Sequence, residues 1–485
     1  MRATFSGIEI ARRALQAQRL SLDTVGQNIA NANTPGYSRQ VAVHSASRPY
    51  PMPQFTHNPV NGMIGTGVEI AQISRMRDEF IETRLRQEQH NTNYWQMIGD
   101  GLEQVELIYN EPSENGIHHA LELFWDAWQE LSINSHSEAV RSVVIQRGEV
   151  VASAIGHARY QLGKLRDNYN DLIAAKVNEI NSYAERIADL NRDIVKVIAA
   201  GYQPNDLMDK RDQLLQELSE ITNIEVVADK HGSASVSISG ATLVQRTEVF
   251  KLDVRSSAEE VSPPYDRVEV IWEGSNAPAE IRGGQLAGIL DFRDHFVQDY
   301  IADLNQWTAD LMNTVNAIHM EGYDLHGNPG QAFFVIHNGS GTVTADQDPS
   351  LSIQVGLEHP AEIAASSLLD SNGEVAAGNG EIALRIAQLR HTPYTGFQNT
   401  IGSLFNAIIS KIGVDALESA AMEKNGEALV NHLKNMREAV SGINLDEEMA
   451  DMIRYQHAYT AAARIMTAMD QTLDIIVNRL GLFGR

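Results

Sequence analysis

The last stretch of the chain carries the pattern that most constrains its fold. From Leu445 to Leu480, apolar residues recur at alternating steps of three and four positions, with no proline or glycine between them. This alternation is the seam of a helix that lies along another helix. The seam residues that we assign to an assembly interface are Met449, Met452, Tyr459, Met466, Leu473, Val477 and Leu480. Because a stripe this wide does not stay in water, another surface has to cover it.

The first helical stretch of the chain carries a matching stripe. Its candidate interface residues follow the same spacing and are Ile8, Leu15, Leu22, Val25 and Ile29. Burying each Leu or Ile contributes roughly 1.5–3 kcal/mol, and neither stripe has a partner nearby in the sequence, so we expect the two termini to pair. Two helices cannot enclose stripes of this width, and we therefore expect self-association to cover the open face. An ordinary helical bundle whose ends happen to meet remains the alternative.

The charge of the chain limits its partners. The 485 residues include 38 Lys and Arg against 63 Asp and Glu, which gives a net charge of −25 at pH 7. Since such a surface repels phosphate groups, we expect no nucleic acid and no membrane among the partners. Arginines interrupt the apolar residues of the first thirty positions, which argues against a cleavable secretory signal peptide. The chain contains no cysteine, so disulfides and thiol chemistry are excluded.

The middle of the chain predicts a fold that is mainly α with an inserted β module. A helical period runs from a capping box at Ser135 and Glu138 as far as Gly201, and another helix is predicted from Ile73 to Ile108. Near Thr222 the period changes from helical to two, which indicates strands. The predicted parts are a terminal α-helical coiled coil, an elongated helical-bundle body and a small antiparallel β domain.

These parts divide the sequence into nested segments. The terminal coiled-coil assembly domain takes residues 1–36 and 445–485. The helical body takes residues 37–222, 283–322 and 381–444. The β-rich outer module takes residues 223–282 and 323–380.

A catalytic or metal site is not evident in the sequence. The chain has no phosphate loop, dinucleotide fingerprint, Gly-x-Ser-x-Gly or His-Glu-x-x-His motif. His118 and His119 are adjacent, and adjacent side chains point in different directions on a helix. We therefore expect no catalytic residues, no cofactor and no bound metal, and we predict that the chain is not an enzyme.

Four segments resemble a known family. Residues 28–40 (NIANANTPGYSRQ) resemble the N-terminal signature of the flagellar axial proteins, which are the rod, hook and hook-associated proteins. Residues 452–465 resemble the matching C-terminal signature. Within this superfamily, residues 204–215 (PNDLMDKRDQLL) and 283–294 (GGQLAGILDFRD) resemble segments typical of the flagellar hook-associated protein 1 family. The helix-rich body agrees with that family, since hook proteins are mostly β between their terminal helices.

The resemblance implies a structural role at the junction between the flagellar hook and the filament. It implies self-association together with contacts to the hook protein, to a neighbouring hook-associated protein and to the filament. It also implies an extracellular location, reached through the flagellar type III export pathway without a cleavable signal, and an export chaperone that holds the C-terminal helix. A hook or rod subunit of the same superfamily is the alternative. A secreted enzyme with its site in the β region is a more remote one.

Overall fold

The computed structural model describes residues 6–49, 65–259, 265–337, 340–369, 376, 378–393 and 398–475. Its helices are α1 Ser6–Ala30, α2 Glu79–Tyr109, α3 Ile117–Ile133, α4 Glu138–Ala199, α5 Asn205–Ile221, α6 Gly284–Asp291, α7 Val297–His319, α8 Pro349–Ser352, α9 Glu381–Gln388, α10 Ile401–Ser441 and α11 Leu445–Asp474. Its strands are β1 Gln40–Ala46, β2 Val68–Arg75, β3 Ile224–Ala228, β4 Ala234–Ile238, β5 Ala241–Gln245, β6 Glu248–Val249, β7 Leu252–Glu259, β8 Tyr265–Trp272, β9 Phe334–Val335 and β10 Gln354–Val355. The prediction of a mainly α fold with small antiparallel sheets is confirmed.

The helical body is organised along α4. This helix has 62 residues and spans about 93 Å at 1.5 Å per residue. It begins after Ser137, whose side chain accepts a hydrogen bond from the Val140 N–H. The predicted cap at Ser135 is wrong, because Ser137 is the residue that caps the helix; Ser135 lies before it, and its carbonyl accepts a hydrogen bond from Arg141 Nε at 2.8 Å. The helix ends next to Gly201, whose φ of +85° suits glycine at a helix terminus.

One face of α4 is buried along its whole length. The buried apolar residues follow steps of three, four and seven and include Val144, Val151, Ile155, Leu162, Ile173, Ile180, Ile187 and Ile194. Helices α3, α5, α6 and α7 pack against α4, as do both β-rich segments. Because most of these residues belong to one contiguous hydrophobic cluster, α4 joins distant parts of the sequence into a single core.

The first β-rich segment packs on the C-terminal half of α4. Its strands form a four-stranded antiparallel sheet in the order β3-β4-β5-β6 and a separate β7-β8 hairpin. Two asparagines on α4 hold them in place: the Asn191 amide bonds the backbone N–H and carbonyl of Ala234, and the Asn181 amide does the same for Leu252. These polar residues therefore fix the position of each sheet along the helix.

The second β-rich segment lies on the N-terminal half of α4. Strands β9 and β10 pair with each other and share no sheet with β3 to β8. Phe333 lies against Gly148 so closely that a Cβ at Gly148 would sit 2.8 Å from the ring. Arg159 forms two hydrogen bonds with the Asp348 carboxylate, at 2.9 and 2.7 Å. The two β-rich segments are thus separate, and the division of the chain into three domains stays a prediction.

The segment after the first helix forms a hairpin. Strands β1 and β2 pair antiparallel, with Gln40 opposite Arg75. The predicted start of a helix at Ile73 is wrong, because Ile73 pairs with β1 as part of β2. Helix α2 begins later, where Asp78 Oδ1 accepts hydrogen bonds from the N–H groups of Phe80 and Ile81. Across the described part of the chain, no helix combines the length and hydrophobicity needed to cross a membrane.

A buried histidine lies where the second β-rich segment meets α7. His319 is fully buried and lies edge-on to the rings of Trp128 and Phe333. The neutral ring is satisfied when Nδ1–H donates to the Gln331 carbonyl at 2.5 Å and Nε2 accepts from the Ala364 N–H at 2.8 Å. Burial lowers the pKa of His319 to about 4, against an ordinary value of 6.5. Nearby Arg141 also lowers this pKa, while the hydrogen bond to Gln331 raises it.

We expect the free energy of unfolding to fall as the pH drops from 6.5 towards about 4, the ordinary and folded-state pKa values of His319. Between these two pKa values the unfolded chain binds a proton that the folded chain does not. The buried neutral His319 is therefore fully compatible with the folded state only at higher pH, and the free energy of unfolding is largest there. One proton gives a slope of at most about 1.4 kcal/mol per pH unit. Urea denaturation at several pH values measures this slope. His319→Gln should reduce the slope, and His119→Gln, at an exposed position, should not; equal slopes in both variants would contradict the assignment.

Candidate assembly site

The two ends of the chain form an antiparallel helix pair. Helix α1 packs along α11, with Asn28 bonded to Glu448 at one end and Gly7 against Met469 at the other. A Cβ at Gly7 would lie 2.9 Å from the Met469 sulfur, so the two helices approach each other closely here. The pairing of the two termini expected from their stripes is therefore present within one chain. We call α1 and α11 together the terminal pair.

The row of α11 that faces α1 differs from the predicted seam. It includes Glu448, Tyr455 and Ala462, which repeat every seven residues; Glu448 and Ala462 are buried and Tyr455 is half-buried. Tyr455 stacks on His44 of β1, with ring centroids 6.1 Å apart. His44 Nε2 in turn lies 2.9 Å from the Ser21 hydroxyl of α1. The β1-β2 hairpin thus contacts both helices of the terminal pair, which the sequence did not predict.

The predicted interface residues fall into four groups. Val25 is buried, and a half-buried group comprises Ile8, Leu15, Leu22, Ile29, Met452, Met466 and Leu473. Met449 and Tyr459 remain 50% and 40% exposed. Val477 and Leu480 lie outside the described residues. Exposed Leu445 and Ile453 each lie one turn from Met449, and Tyr459 is exposed further along the helix, so the described residues leave these apolar side chains of α11 uncovered. We call these four residues the exposed row of α11.

A buried polar cluster connects the terminal pair to the rest of the chain. Asn28 Nδ2 donates to the Gln40 carbonyl at 2.9 Å and to Glu448 Oε2 at 3.0 Å. Asn28 Oδ1 accepts from the Gln40 N–H and from the Tyr37 hydroxyl, each at 3.0 Å. Every hydrogen-bonding position of this amide is therefore used, and a buried amide is stable only when it is satisfied in this way. We call Asn28, Tyr37, Arg39, Gln40 and Glu448 the polar junction.

Arg39 links three elements at the polar junction. Its Nε donates to Glu448 Oε1 at 2.7 Å, and its Nη1 lies 3.5 Å from Glu447. Its backbone N–H donates to the Ser441 carbonyl at the end of α10, and its carbonyl accepts from the Met76 N–H after β2. The start of α11, the end of α10 and the end of the hairpin are consequently held by one residue.

Helix α5 supplies carboxylates to the same region. Asp209 accepts hydrogen bonds from the N–H and hydroxyl of Ser38 and from Arg75. Asp212 accepts from Arg75 and from Arg77. Burial alone would raise the pKa of Asp212, but these two arginines outweigh it and lower the pKa below its usual value. The two segments that carried the family resemblance, 28–40 and 204–215, are thus in direct contact.

The negative charges here also affect Tyr37. Burial is the largest cause that raises the pKa of Tyr37, and Asp206, Asp209 and Glu448 raise it further. The phenol therefore stays protonated and remains a hydrogen-bond donor to Asn28. Buried hydrogen bonds and ion pairs of this kind hold the helices in position. Groups of three or more side chains that could bind a metal are absent from the residues described by the structure.

Sequence reasoning placed Asn28 and Arg39 in a family signature and Glu448 at a helix start, but it did not predict the contacts among them. A signal was nevertheless present in α1, where Ser21, Thr24 and Asn28 stand on the helix face that is buried. Polar residues in such positions need partners, because an unsatisfied buried group costs about 1–3 kcal/mol. These three residues are not members of the predicted stripe of α1 and were therefore overlooked.

Three family models match the chain. Residues 102–334 match "Flagellar hook-associated protein FlgK helical domain". Residues 438–480 match "Flagellar basal body rod FlgEFG protein C-terminal", and residues 8–37 match "Flagella basal body rod protein". The two terminal matches cover the described helices of the terminal pair, and the first covers α3 to α7.

Known proteins agree with these matches. The flagellar hook-associated protein 1 of Bacillus subtilis (strain 168) is 30% identical over 518 residues, covering 100% of both chains. The flagellar hook-associated protein 1 of Salmonella typhimurium (strain LT2) is 25% identical over 97% of this chain and 99% of that protein. The solved flagellar hook junction protein FlgK of Burkholderia pseudomallei has the same fold, with a TM-score of 0.61 and 17% identity over 74% of this chain and 100% of the other. The resemblance inferred from the sequence is confirmed, and the chain belongs to the flagellar hook-associated protein 1 family.

Proposed function

We propose that this chain is the structural junction protein that polymerises at the tip of the bacterial flagellar hook and connects the hook to the filament. Its relatives are named for the hook, and one solved neighbour is described as a hook junction protein. The observation that carries the proposal is the exposed row of α11, which lies on the terminal pair and is not covered by any of the residues that the structure describes. The role is structural, and the chain has no catalytic task in it.

The terminal helices form the contact between copies. Leu445, Met449, Ile453 and Tyr459 are each between 40% and 56% exposed. Removing side chains of this size from water is worth about 25 cal/mol for each Å² of apolar surface that is buried. The half-buried stripe residues of α1, from Ile8 to Ile29, complete the assembly interface from the other helix.

The partners follow from this position in the flagellum. The chain contacts further copies of itself, the hook protein on one side, and a neighbouring hook-associated protein and the filament on the other. It acts outside the cell after export without a cleavable signal. An export chaperone covers the C-terminal helix before assembly, since exposed apolar rows associate prematurely in solution.

A genetic replacement tests the proposal. Cells lacking this chain are expected to carry bare hooks and to release flagellin into the medium. The unaltered chain should restore filaments, and Met449→Asp should not, because it places a charge in the centre of the exposed row of α11. Electron microscopy and a flagellin assay of the medium measure both outcomes.

Ala461→Asp is the matched control. Ala461 is also exposed on α11, but it lies roughly 120° around the helix from Met449 at 3.6 residues per turn. This variant should restore filaments. Normal filaments with Met449→Asp would contradict the proposed contact, and a complete loss of hooks in the deleted cells would instead make the chain a hook or rod subunit.

A further inference from the structure

Helix α10 packs mainly against α2, and its N-terminal part also contacts α7. Its inner face packs along α2. Ser419 lies 3.0 Å from the position that a Cβ would take at Gly99, and Val430 and Leu433 form a cluster with Leu85. This close packing leaves no room for the outer side chains of α10 to turn inwards.

A second apolar row runs along the outside of α10. Its large side chains are between 40% and 73% exposed and are Val414, Leu417, Met422, Leu429 and Met436. We call them the outer row of α10. Isolated exposed apolar residues are normal on protein surfaces, but several large ones on a single helix indicate a contact surface.

The spacing of the outer row fits a helix as its partner. Met422, Leu429 and Met436 are each seven positions apart, which is the repeat by which one helix packs along another. Flexible Met side chains suit a surface that has to adapt to its partner. Lys424, Glu427 and Glu438 are exposed on other sides of the same helix, so the apolar residues of the row are not part of a generally apolar surface.

The position of α10 indicates what covers this row. Only residues 442–444 separate α10 from α11, so the outer row of α10 ends close in sequence to the exposed row of α11. A neighbouring copy that covers Leu445 and Met449 is therefore within reach of Met436. We propose that the outer row of α10 packs against a helix of a second copy of this chain and extends the contact of the terminal pair into the helical body. This inference rests on the proposed function.

Site-specific photocrosslinking tests the inference in motile cells. The photoreactive residue p-benzoylphenylalanine replaces Leu429 or Met422, and irradiation links it to whatever lies beside it. The expected product is recognised by antibody against this chain and has twice its mass. Glu427, on the opposite flank of α10, is the matched control and should give several-fold less of this product. Met449 on α11 is the positive control for the proposed function.

The possible outcomes distinguish the inference about α10 from the proposed function. A product at Met449 without one at Leu429 or Met422 would overturn the inference and leave the proposed function standing. A product of another mass at Leu429 and Met422 would identify a different partner protein and overturn the second copy as the occupant. Equal yields at Glu427 and Leu429 would show that the contact is not specific to this face. Failure at all three positions, Met449 included, would remove the proposed function and the inference together.

Discussion

Replacing Asp348 by alanine is expected to destabilise the helical body by about 3–5 kcal/mol, the typical cost of removing one partner from a buried ion pair. The side chains of Arg159 and Asp348 are each only 4% exposed. Two hydrogen bonds join them, and the structure shows no other carboxylate bonded to Arg159 among its described residues. The variant therefore leaves a guanidinium group inside the protein without its counter-charge. Urea denaturation followed by circular dichroism at pH 7 measures the change.

The neighbouring residue Asp346 provides the control for this experiment. Asp346 belongs to the same turn but is exposed, so Asp346→Ala should change the free energy of unfolding by no more than about 0.5 kcal/mol. Asp348→Asn should lie between the two, because asparagine tolerates the left-handed backbone that gives Asp348 its φ of +49°. A loss for Asp348→Ala that is no larger than that for Asp346→Ala would show that the ion pair does not hold the second β-rich segment to α4.

The long helices could be predicted because their signal is local. Helical burial repeats every 3.6 residues, and the apolar positions of α4 keep this period from Val144 to Ile194. The stripes of α1 and α11 were visible for the same reason. The change to a period of two after Thr222 likewise predicted the strands of the first β-rich segment.

The features of the fold and of the site that could not be predicted depend on residues that are distant in the sequence. Glu448 bonds Asn28, a residue 420 positions away, and no local pattern encodes such a pairing. The cap of α4 is Ser137 rather than Ser135, and the spacing of side chains does not distinguish these two serines. The buried row of α11 also differs from the predicted seam. One of its residues, Tyr455, stacks on His44 of the β1-β2 hairpin, and this contact is likewise distant in the sequence.

A second large effect is expected from a substitution in the polar junction. Glu448→Ala is expected to weaken the attachment of the terminal pair by about 3 kcal/mol, the lower end of the cost of breaking a buried ion pair. Arg39 would lose its shortest hydrogen bond to a carboxylate, and Asn28 Nδ2 would keep only the Gln40 carbonyl. Since 1.4 kcal/mol is a factor of ten, amide hydrogen exchange in α1 and α11 should accelerate about a hundredfold. Exchange in α4 should stay unchanged, because α4 makes no contact with the polar junction's hydrogen bonds.

Glu447 separates a specific effect from a general loss of charge. Its side chain is 62% exposed and lies 3.5 Å from Arg39, so Glu447→Ala should cost no more than about 1 kcal/mol. Glu448→Gln should retain part of the attachment, because its amide oxygen can still accept a hydrogen bond from Asn28. If Glu448→Ala and Glu447→Ala accelerate exchange equally, the terminal pair is held by its apolar contacts alone. If they differ as expected, the residues that fasten the assembly helices to the body are the polar ones, and loss of Glu448 should also reduce incorporation at the hook tip.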